Sequence, residues 1–518
     1  MRSKMLWALP VALVASLAAP QLALADTLEA AQNGTLGETV AVDTLWVIVA
    51  GVLVMFMQAG FAFLEIGFSR GKNAGTIVAK ILVNFSIAAL CWYAVGFAFA
   101  FGANGSIGPF HDVIGDTGFF LQNFGDPLTA FPVMGLSDAT VESKWFFQFV
   151  FCAVSLAIVW GTTLERIKFG VYVLYSIVFA SLIYPIGAHW VFGGGWLQLN
   201  VGMEDFAGST AVHLIGATGA LAALLLLGAR KGKYGSDGKP RAIPGHSMPL
   251  FGLGVLILWL GWFGFNPGST LNAIDGRFPE VLMVTQLAAA SGVLTAAITS
   301  KLRMGSVDIG MAGNGAIAAL VAITAPSGYV EVWAAPIIGA IAGVIVVLGV
   351  LAIDKVIDDP VGALSAHGLA GIWGTLSCGI FTAPRLAEYN AFGVTNDDGA
   401  FIGGFLYASG LLGKGANDIG GSFNIEAFEQ LGAQALGVAA AFTFVFAASF
   451  ATFWAIKKVY GLRVTEAEED AGLDISEHGM YGYPEQFIPE PEYPGSASGP
   501  LPAGQPAISS TTATADAK

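Results

Sequence analysis

The sequence predicts an all-α polytopic membrane protein with eleven transmembrane helices, an outside N-terminus and a cytoplasmic C-terminus. Of its 518 residues, 55% are hydrophobic and only 12% are charged, a balance unlike that of soluble globular chains. Eleven apolar stretches reach about 20 residues, the length that a helix needs to cross a bilayer. Lysine and arginine are concentrated in alternate connecting loops, as the positive-inside rule requires.

The chain begins with a segment typical of a secretory signal peptide. Arg2 and Lys4 precede a short apolar run, and Ala23-Leu24-Ala25 forms a small-residue cleavage site. We expect residues 1–25 to be cleaved, which leaves the mature N-terminus on the outer side of the membrane. An uncleaved first span is the alternative, although the apolar run is short for a helix that crosses a bilayer.

The eleven apolar stretches form two groups of five and one last, peripheral helix. The first group covers about 44–228, the second about 248–383 and the last helix about 431–456, within a membrane domain of residues 40–460. Because five is odd, the second group has the opposite orientation from the first, which is the arrangement of an inverted repeat. The stretches lie near 44–68, 75–101, 145–164, 169–192, 206–228, 248–266, 279–300, 305–325, 331–353, 362–383 and 431–456.

The distribution of lysine and arginine supports this orientation. Fifteen of them fall in predicted inner loops and in the segment after the last span, whereas four fall on the outer side. The outer ones are Lys144, Arg277, Arg385 and Lys414. The net charge of −14 does not indicate a nucleic-acid partner, because the acidic residues are mostly in outer loops and in the C-terminal tail.

The C-terminal tail divides into two parts. Residues 461–483 are charged and contain the stretch LRVTEAEEDAGLDISEHGMYGY, which we interpret as a cytoplasmic tail. Residues 484–518 are rich in Pro, Ser, Ala and Thr, a composition that predicts disorder. The three cysteines all fall inside predicted spans, so we propose no disulfide, metal site or cofactor.

Two histidines lie deep within predicted spans, His213 in the fifth and His367 in the tenth. At 1.5 Å per residue, they are about 12 Å and about 9 Å from opposite ends of their helices, so both are central in a core of about 30 Å. Inverted repeats place binding sites at this depth, between the two halves. The histidines are therefore predicted to meet; the alternative is that each one hydrogen-bonds a neighbouring helix separately.

Asp205 precedes the apolar run of the fifth helix, at a position typical of an N-cap. Its eight-residue separation from His213 corresponds to about 80° around the helix, which argues against direct contact. We expect Asp205 to act by capping the helix and shaping the outer entrance.

Several ordered motifs resemble those of the ammonium transporter (Amt/Mep/Rh) family. The stretch Asp205-Phe-Ala-Gly-Ser-Thr-Ala-Val-His213 is similar to that family's signature, and the resemblance covers about residues 40–483. The other matching stretches are GFAFLEIGFSRGKNA, LERIKF, GWFGFNPGS, DDPVGALSAHGLAGIWGTL and the charged tail.

The resemblance implies an eleven-helix protomer that assembles as a homotrimer, with one pore in each subunit. It implies that His213 and His367 are the twin pore histidines and that Phe151 and Phe265 close the outer mouth. Other positions are also implied, namely Ser269 and Asp205 at the outer recruitment site, with Trp262 and Tyr184 as aromatic residues near the pore. Phe192 occupies the position of the family's recruiting tryptophan, and phenylalanine attracts a cation less strongly than tryptophan does.

The function implied is recruitment of ammonium at an outer aromatic vestibule, its deprotonation, and conduction of ammonia past the histidine pair. Methylammonium is then expected as a substrate analogue, a nitrogen-regulatory PII protein as a possible partner and the bacterial inner membrane as the location. The alternatives are an ammonium sensor of the same fold and an Rh-like channel for another small neutral gas. The sequence has no motif of an intramembrane enzyme, such as HExxH, so we expect no catalytic activity.

Overall fold

The computed structural model describes residues 37–103, 112–122, 127–396, 398–412 and 425–484, and these ranges are helical, with isolated β-bridges and no strand. The predicted signal peptide lies outside the described residues, as does the predicted disordered tail apart from Pro484. The long helices are α1 (Glu38–Phe68), α2 (Gly71–Phe101), α3 (Val141–Thr162), α4 (Phe169–Leu199), α5 (Ser209–Leu227), α6 (Met248–Thr270), α7 (Phe278–Met304), α8 (Ile309–Thr324), α9 (Ala334–Ile353), α10 (Leu364–Leu369 and Ala370–Phe381) and α11 (Ile425–Val459).

Each of the eleven predicted spans coincides with one of these helices. In the described ranges, nine are long and apolar enough to cross a membrane, whereas α8 is shorter and α10 consists of two consecutive segments. The predicted all-α fold class is therefore confirmed, and the count of eleven spans stays a prediction. The largest boundary differences are at α1, α4 and α11: α1 begins at Glu38 rather than near 44, α4 continues past its predicted end to Leu199, and α11 begins at Ile425 rather than near 431.

The two groups of five helices pack in the same pattern. In the first group α1 packs on α3, α2 on α4 and α3 on α5, and in the second α6 packs on α8, α7 on α9 and α8 on α10. The groups join where α1 packs along α6 and where α5 contacts α10. This repetition agrees with the predicted inverted repeat and brings the two histidine-bearing helices together at the centre.

The helices differ in how much of their surface the fold encloses. The apolar core of α3 is 89% buried, whereas that of α11 is only 28% buried. α11 packs on α5 and α10 and leaves Leu436, Phe442 and Trp454 exposed. An exposed apolar face on a membrane-length helix is suited to lipid or to another subunit, which fits the prediction of a peripheral last helix.

Close helix packing at the centre depends on glycine. A Cβ atom at Gly216 on α5 would lie 2.5 Å from the Ser155 backbone oxygen on α3, and one at Gly374 on α10 would lie 2.5 Å from the Ala322 oxygen on α8. Neither position has room for a larger residue, because the facing atoms belong to the backbone. The small residues around the histidines therefore allow backbones to approach each other, as the sequence suggested.

The predicted inner loops meet at one end of the bundle, where buried ion pairs join them. Arg230 donates two side-chain hydrogen bonds of 2.9 Å to the Asp358 carboxylate, and Arg166 Nη2 donates to the Asp358 backbone oxygen at 2.7 Å. Arg70 forms a 2.6 Å ion pair with Glu165, whose side chain is fully buried. Buried charges are tolerated in a fold when they are paired in this way.

The tail after α11 is packed against this same end. It forms two short helices, α12 (Glu466–Ala471) and α13 (Leu473–His478). Arg463 forms a 2.6 Å ion pair with the buried Glu469, which also accepts a hydrogen bond from the Lys231 backbone N–H at 2.7 Å. The Asp474 carboxylate accepts backbone N–H groups at the start of α2. Residues 461–484 thus form an ordered cover over the inner loops.

Candidate functional site

The two deep histidines contact each other at the centre of the bundle. Their Nδ1 atoms are 3.2 Å apart and their ring centroids 5.2 Å apart, with an angle of 23° between the rings. Because one Nδ1 has to donate and the other to accept, the two imidazoles hold complementary tautomers. The Nε2 atom of His213 is buried and has no partner in the described part of the chain, so it remains available to a passing molecule.

Aromatic rings lie directly against the histidine pair. The rings of Trp262 and Phe265 stack on His213, with centroid distances of 5.3 Å and 5.4 Å. Phe151 lies 4.1 Å from Phe265, centroid to centroid, and forms part of the floor of an outer cavity. Trp262 donates a 2.9 Å hydrogen bond to Thr324 Oγ1, which fixes its indole. Phe265 thus contacts both His213 and Phe151, and Phe151 lines the cavity.

The outer cavity has a volume of about 250 Å³ and an aromatic wall. It contains four of the residues singled out from the sequence, namely Phe151, Phe192, Asp205 and Ser269. The sequence did not indicate several other lining residues, namely Phe147, Gln148, Phe206, Tyr329 and Phe392. Aromatic faces together with hydroxyl and amide oxygens form a suitable surface for a small cation that has lost part of its hydration shell.

Asp205 caps α5 from outside the helix. The helix begins at Ser209 rather than directly after Asp205, because Gly208 adopts a left-handed conformation with a φ of +118°. The carboxylate nevertheless accepts four backbone N–H groups of the first turn, at 2.8 to 3.0 Å. Burial raises the pKa of Asp205 to about 6, although these hydrogen bonds favour its charged form.

The second half of the chain repeats this cap. Asp359 accepts the Leu364 backbone N–H at 2.7 Å, and Gly362 has a φ of +75°. Both histidine helices begin with a π-helical turn, and such turns are frequent at functional sites. The pattern Asp-x-x-Gly followed by histidine eight residues after the aspartate occurs in both halves. This spacing could have identified Asp359 as a helix cap from the sequence, although Asp359 was not among the predicted site residues.

A second, smaller cavity lies on the inner side of the histidine pair. It has a volume of about 20 Å³ and is lined by His367, Phe61 and Glu65 together with mostly apolar residues of α3, α8 and α10. Glu65 was not indicated as a site residue, although a charged residue inside an apolar run is itself a signal.

Tyr184 lies apart from the cavity walls. It is fully buried, and its ring packs against Trp92 and Phe179, with centroid distances of 6.0 Å and 6.1 Å. The other site residues predicted from the sequence lie at the histidine pair or in the outer cavity. Tyr184 instead packs among aromatic residues of α2 and α4. In the described ranges, no group of three or more His, Cys, Asp or Glu side chains could hold a metal ion.

The fold and these features define a polytopic helical membrane protein in which a buried histidine pair separates an outer aromatic cavity from a small inner one. The profile of the Ammonium Transporter Family matches residues 45–483, and the chain belongs to that family. The ammonium transporter Amt2 of Archaeoglobus fulgidus is 42% identical over 487 residues, which cover 91% of this chain and 96% of the relative.

Other relatives and solved structures agree with this assignment. A putative ammonium transporter of Synechocystis is 35% identical over 451 residues, covering 85% of this chain and 89% of the relative. A solved structure described as a sensor Amt protein is 34% identical, with a TM-score of 0.73, and covers 85% of this chain and 99% of its own. Mep2 of Candida albicans is 28% identical, with a TM-score of 0.69, and covers 82% of this chain and 87% of its own. Both relatives found by sequence similarity are described as ammonium transporters, one of them as putative, and neither is described as an enzyme.

Proposed function

We propose that this protein recruits ammonium in the outer aromatic cavity, where the ion gives a proton to water, and conducts ammonia past His213 and His367 while the proton crosses the membrane separately. The single observation that carries this proposal is the buried histidine pair beneath the Phe151 and Phe265 rings. An ammonium ion in the hydrocarbon core is very costly, whereas neutral ammonia is not. A narrow path with one imidazole after another offers such a molecule hydrogen-bond partners without a charge.

The further expectations for this protein follow from the family. We propose a homotrimer in the bacterial inner membrane, with the N-terminus outside and the C-terminus in the cytoplasm. A regulatory role for residues 461–483 is supported by the contacts of the tail with the loop after α5 and with the start of α2. A nitrogen-regulatory PII protein is then a partner to be tested by co-purification from nitrogen-replete and nitrogen-starved cells.

The decisive experiment compares the wild-type protein with His213→Ala in proteoliposomes. We expect the ammonium-evoked current to fall at least about tenfold, because the variant loses one of two charge-free hydrogen-bond partners in the pore. His246→Ala is the matched control, since His246 is exposed on an inner loop and should leave the current unchanged. Wild-type rate and selectivity for ammonium and methylammonium in His213→Ala would contradict the pore role.

A sensor is the second candidate function, because one similar solved structure is described as a sensor Amt protein. Wild-type protein that binds ammonium but evokes no current and no uptake would favour it. An Rh-like gas channel would instead conduct carbon dioxide at a rate comparable to that of ammonium in the same vesicles.

A further inference from the structure

Glu65 on α1 is a buried carboxyl group that the proposed pathway does not use. Its residue is only 1% exposed, and neither of its side-chain oxygens has a hydrogen-bond partner in the described part of the chain. Burying a carboxyl group without partners is costly, and ionisable residues within membrane helices usually serve a function. The side chain also lines the inner cavity together with His367. This combination indicates that Glu65 has a ligand.

The size of the inner cavity limits what the ligand can be. A cavity needs about 10–15 Å³ of accessible space to hold one water molecule. The inner cavity offers about 20 Å³, which is enough for one molecule of that size. Ammonia and ammonium are as small as water, so one of either fits beside Glu65, whereas two do not.

The remaining polar group on this wall already has a partner. The Asn314 Nδ2 atom donates a 3.0 Å hydrogen bond to the Val361 backbone oxygen, so its amide is held against the segment before α10. Most other lining residues are apolar, among them Leu64, Ile158 and Ile317. The Glu65 oxygens thus remain as acceptors for N–H groups in this cavity.

A second buried ionisable side chain lies near Glu65 and does not occupy its oxygens. Lys80 on α2 is 1% exposed, and its electrostatic field acts on Glu65. The Lys80 ammonium group lies 4.0 Å from the centroid of the Tyr172 ring and has no hydrogen-bond partner in the described ranges. The lysine therefore rests on an aromatic face and leaves both Glu65 oxygens free to bind a ligand.

We propose that Glu65 forms an inner subsite for one ammonia or ammonium, which donates N–H hydrogen bonds to the carboxyl group after it has passed His367. This subsite rests on the proposed transport function and adds a substrate-binding residue to it. Because the subsite lies beyond the histidine pair, it acts on the release of substrate to the inner side rather than on its capture in the outer cavity.

Two variants test the subsite in different ways. Glu65→Gln keeps the shape of the side chain but removes the carboxyl group. Gly161→Ala leaves Glu65 intact and fills the space, because its Cβ atom would lie 3.2 Å from both Glu65 Oε1 and Val361 Cγ2. Gly252→Ala is the matched control, since a Cβ atom at this position on α6 meets nothing within 4 Å. Each variant should show the elution profile and melting temperature of the wild-type protein before it is compared.

The readout is the ammonium-evoked current in proteoliposomes as a function of ammonium concentration. We expect Glu65→Gln and Gly161→Ala to lower the maximal current about tenfold, the effect of losing about one hydrogen bond to the substrate, while the half-saturating concentration changes less than about twofold. Wild-type maximal current in either variant overturns the subsite and leaves the transport function standing. A wild-type protein that shows neither current nor methylammonium uptake overturns the transport function and the subsite with it.

Discussion

At the scale of single residues, the site combines aromatic faces with polar atoms that are held in place by their neighbours. Trp262 is fixed by Thr324, and Ser269 Oγ donates a 2.8 Å hydrogen bond to the Phe265 backbone oxygen, so its hydroxyl keeps a set position on the cavity wall. Such preorganisation matters for a small ligand, because a molecule with few contacts cannot compensate for the ordering of loose side chains. Phe192 lines this cavity, and we propose that its ring contributes to the attraction for a cation.

Replacing Phe192 with tryptophan is expected to strengthen capture of ammonium in the outer cavity. Tryptophan attracts a cation more strongly than phenylalanine does, and a gain of about 0.5–1 kcal/mol corresponds to a half-saturating concentration about two- to fivefold lower. The concentration dependence of the current measures it. The matched control is Phe442→Trp, an exposed position on the outer face of α11. An unchanged or higher half-saturating concentration in Phe192→Trp would show that this ring does not contribute to capture.

The sequence predicted the histidine pair because an ionisable residue stands out within an apolar run. It also predicted Asp205 as a cap, and the family resemblance indicated Phe151, Phe192 and Ser269, but several other residues that line the cavities were not indicated. Phe392 lies in the segment after the short helix Pro384–Asn390, and only tertiary packing brings that segment over the outer cavity. Glu65 was visible as a charge in a span, but its orientation toward the inner cavity depends on how α1 packs against α3 and α6.

At the scale of helices, α5 and α10 each begin with a π-helical turn after an aspartate cap. The wider turn displaces the backbone locally, and side-chain hydroxyls hold the displaced carbonyl groups, as where Ser155 Oγ donates to the Val212 oxygen at 2.8 Å. Hydropathy predicted these helices as continuous spans, because a π-helical turn has no apolar pattern of its own. The short tail helix α12 also begins with a side-chain cap, because Thr465 Oγ1 accepts the Glu468 backbone N–H and Glu468 Oε2 accepts that of Thr465.

Asp474 is expected to hold the tail against α2. Its carboxylate accepts the backbone N–H groups of Gly75 at 2.9 Å, Thr76 at 2.7 Å and Gly482 at 3.0 Å. Asp474→Ala removes all three hydrogen bonds and leaves buried donors unsatisfied, so we expect residues 461–484 to detach and to be cleaved faster by added protease. Glu466→Ala is the control, because the Glu466 side chain is 81% exposed and pairs with Lys231 only at 3.7 Å. Equal protection of the tail in both variants would refute this role.

At the scale of the whole molecule, buried charges at the inner end join parts of the chain that are distant in sequence. Arg166, Arg230 and Asp358 come from the loops after α3, α5 and α9, and Glu165 connects Arg70 to Arg230. Hydropathy predicts which segments cross the membrane but not which connecting loops contact each other, so it could not indicate that these loops meet. The ion pairs link both halves of the bundle to the surface on which the tail packs.

The charged cluster makes the stability of the folded chain sensitive to acid. Burial alone would raise the pKa of Asp358, but the hydrogen bonds of Arg230 and the charges of Arg166 and Arg230 lower it from 3.8 to about 2. A carboxyl group with a lowered pKa in the folded state stabilises the fold above its unfolded pKa, and this contribution is lost as the pH falls to about 2. The difference between the unfolded and folded pKa values of Asp358 corresponds to about 2 kcal/mol in the free energy of unfolding.

We therefore expect the free energy of unfolding of detergent-solubilised protein to fall between pH 4 and pH 2 by about 2 kcal/mol more in the wild type than in Asp358→Asn. Subtracting the fall measured for Asp358→Asn from that measured for the wild type removes the contributions of all other carboxyl groups, because both proteins share them. Asp237→Asn serves as the control, because Asp237 is exposed and its 4.0 Å pair with Lys239 contributes little. If wild type and Asp358→Asn lose stability in parallel over this range, the inner-end cluster does not hold the two halves together through the charge of Asp358.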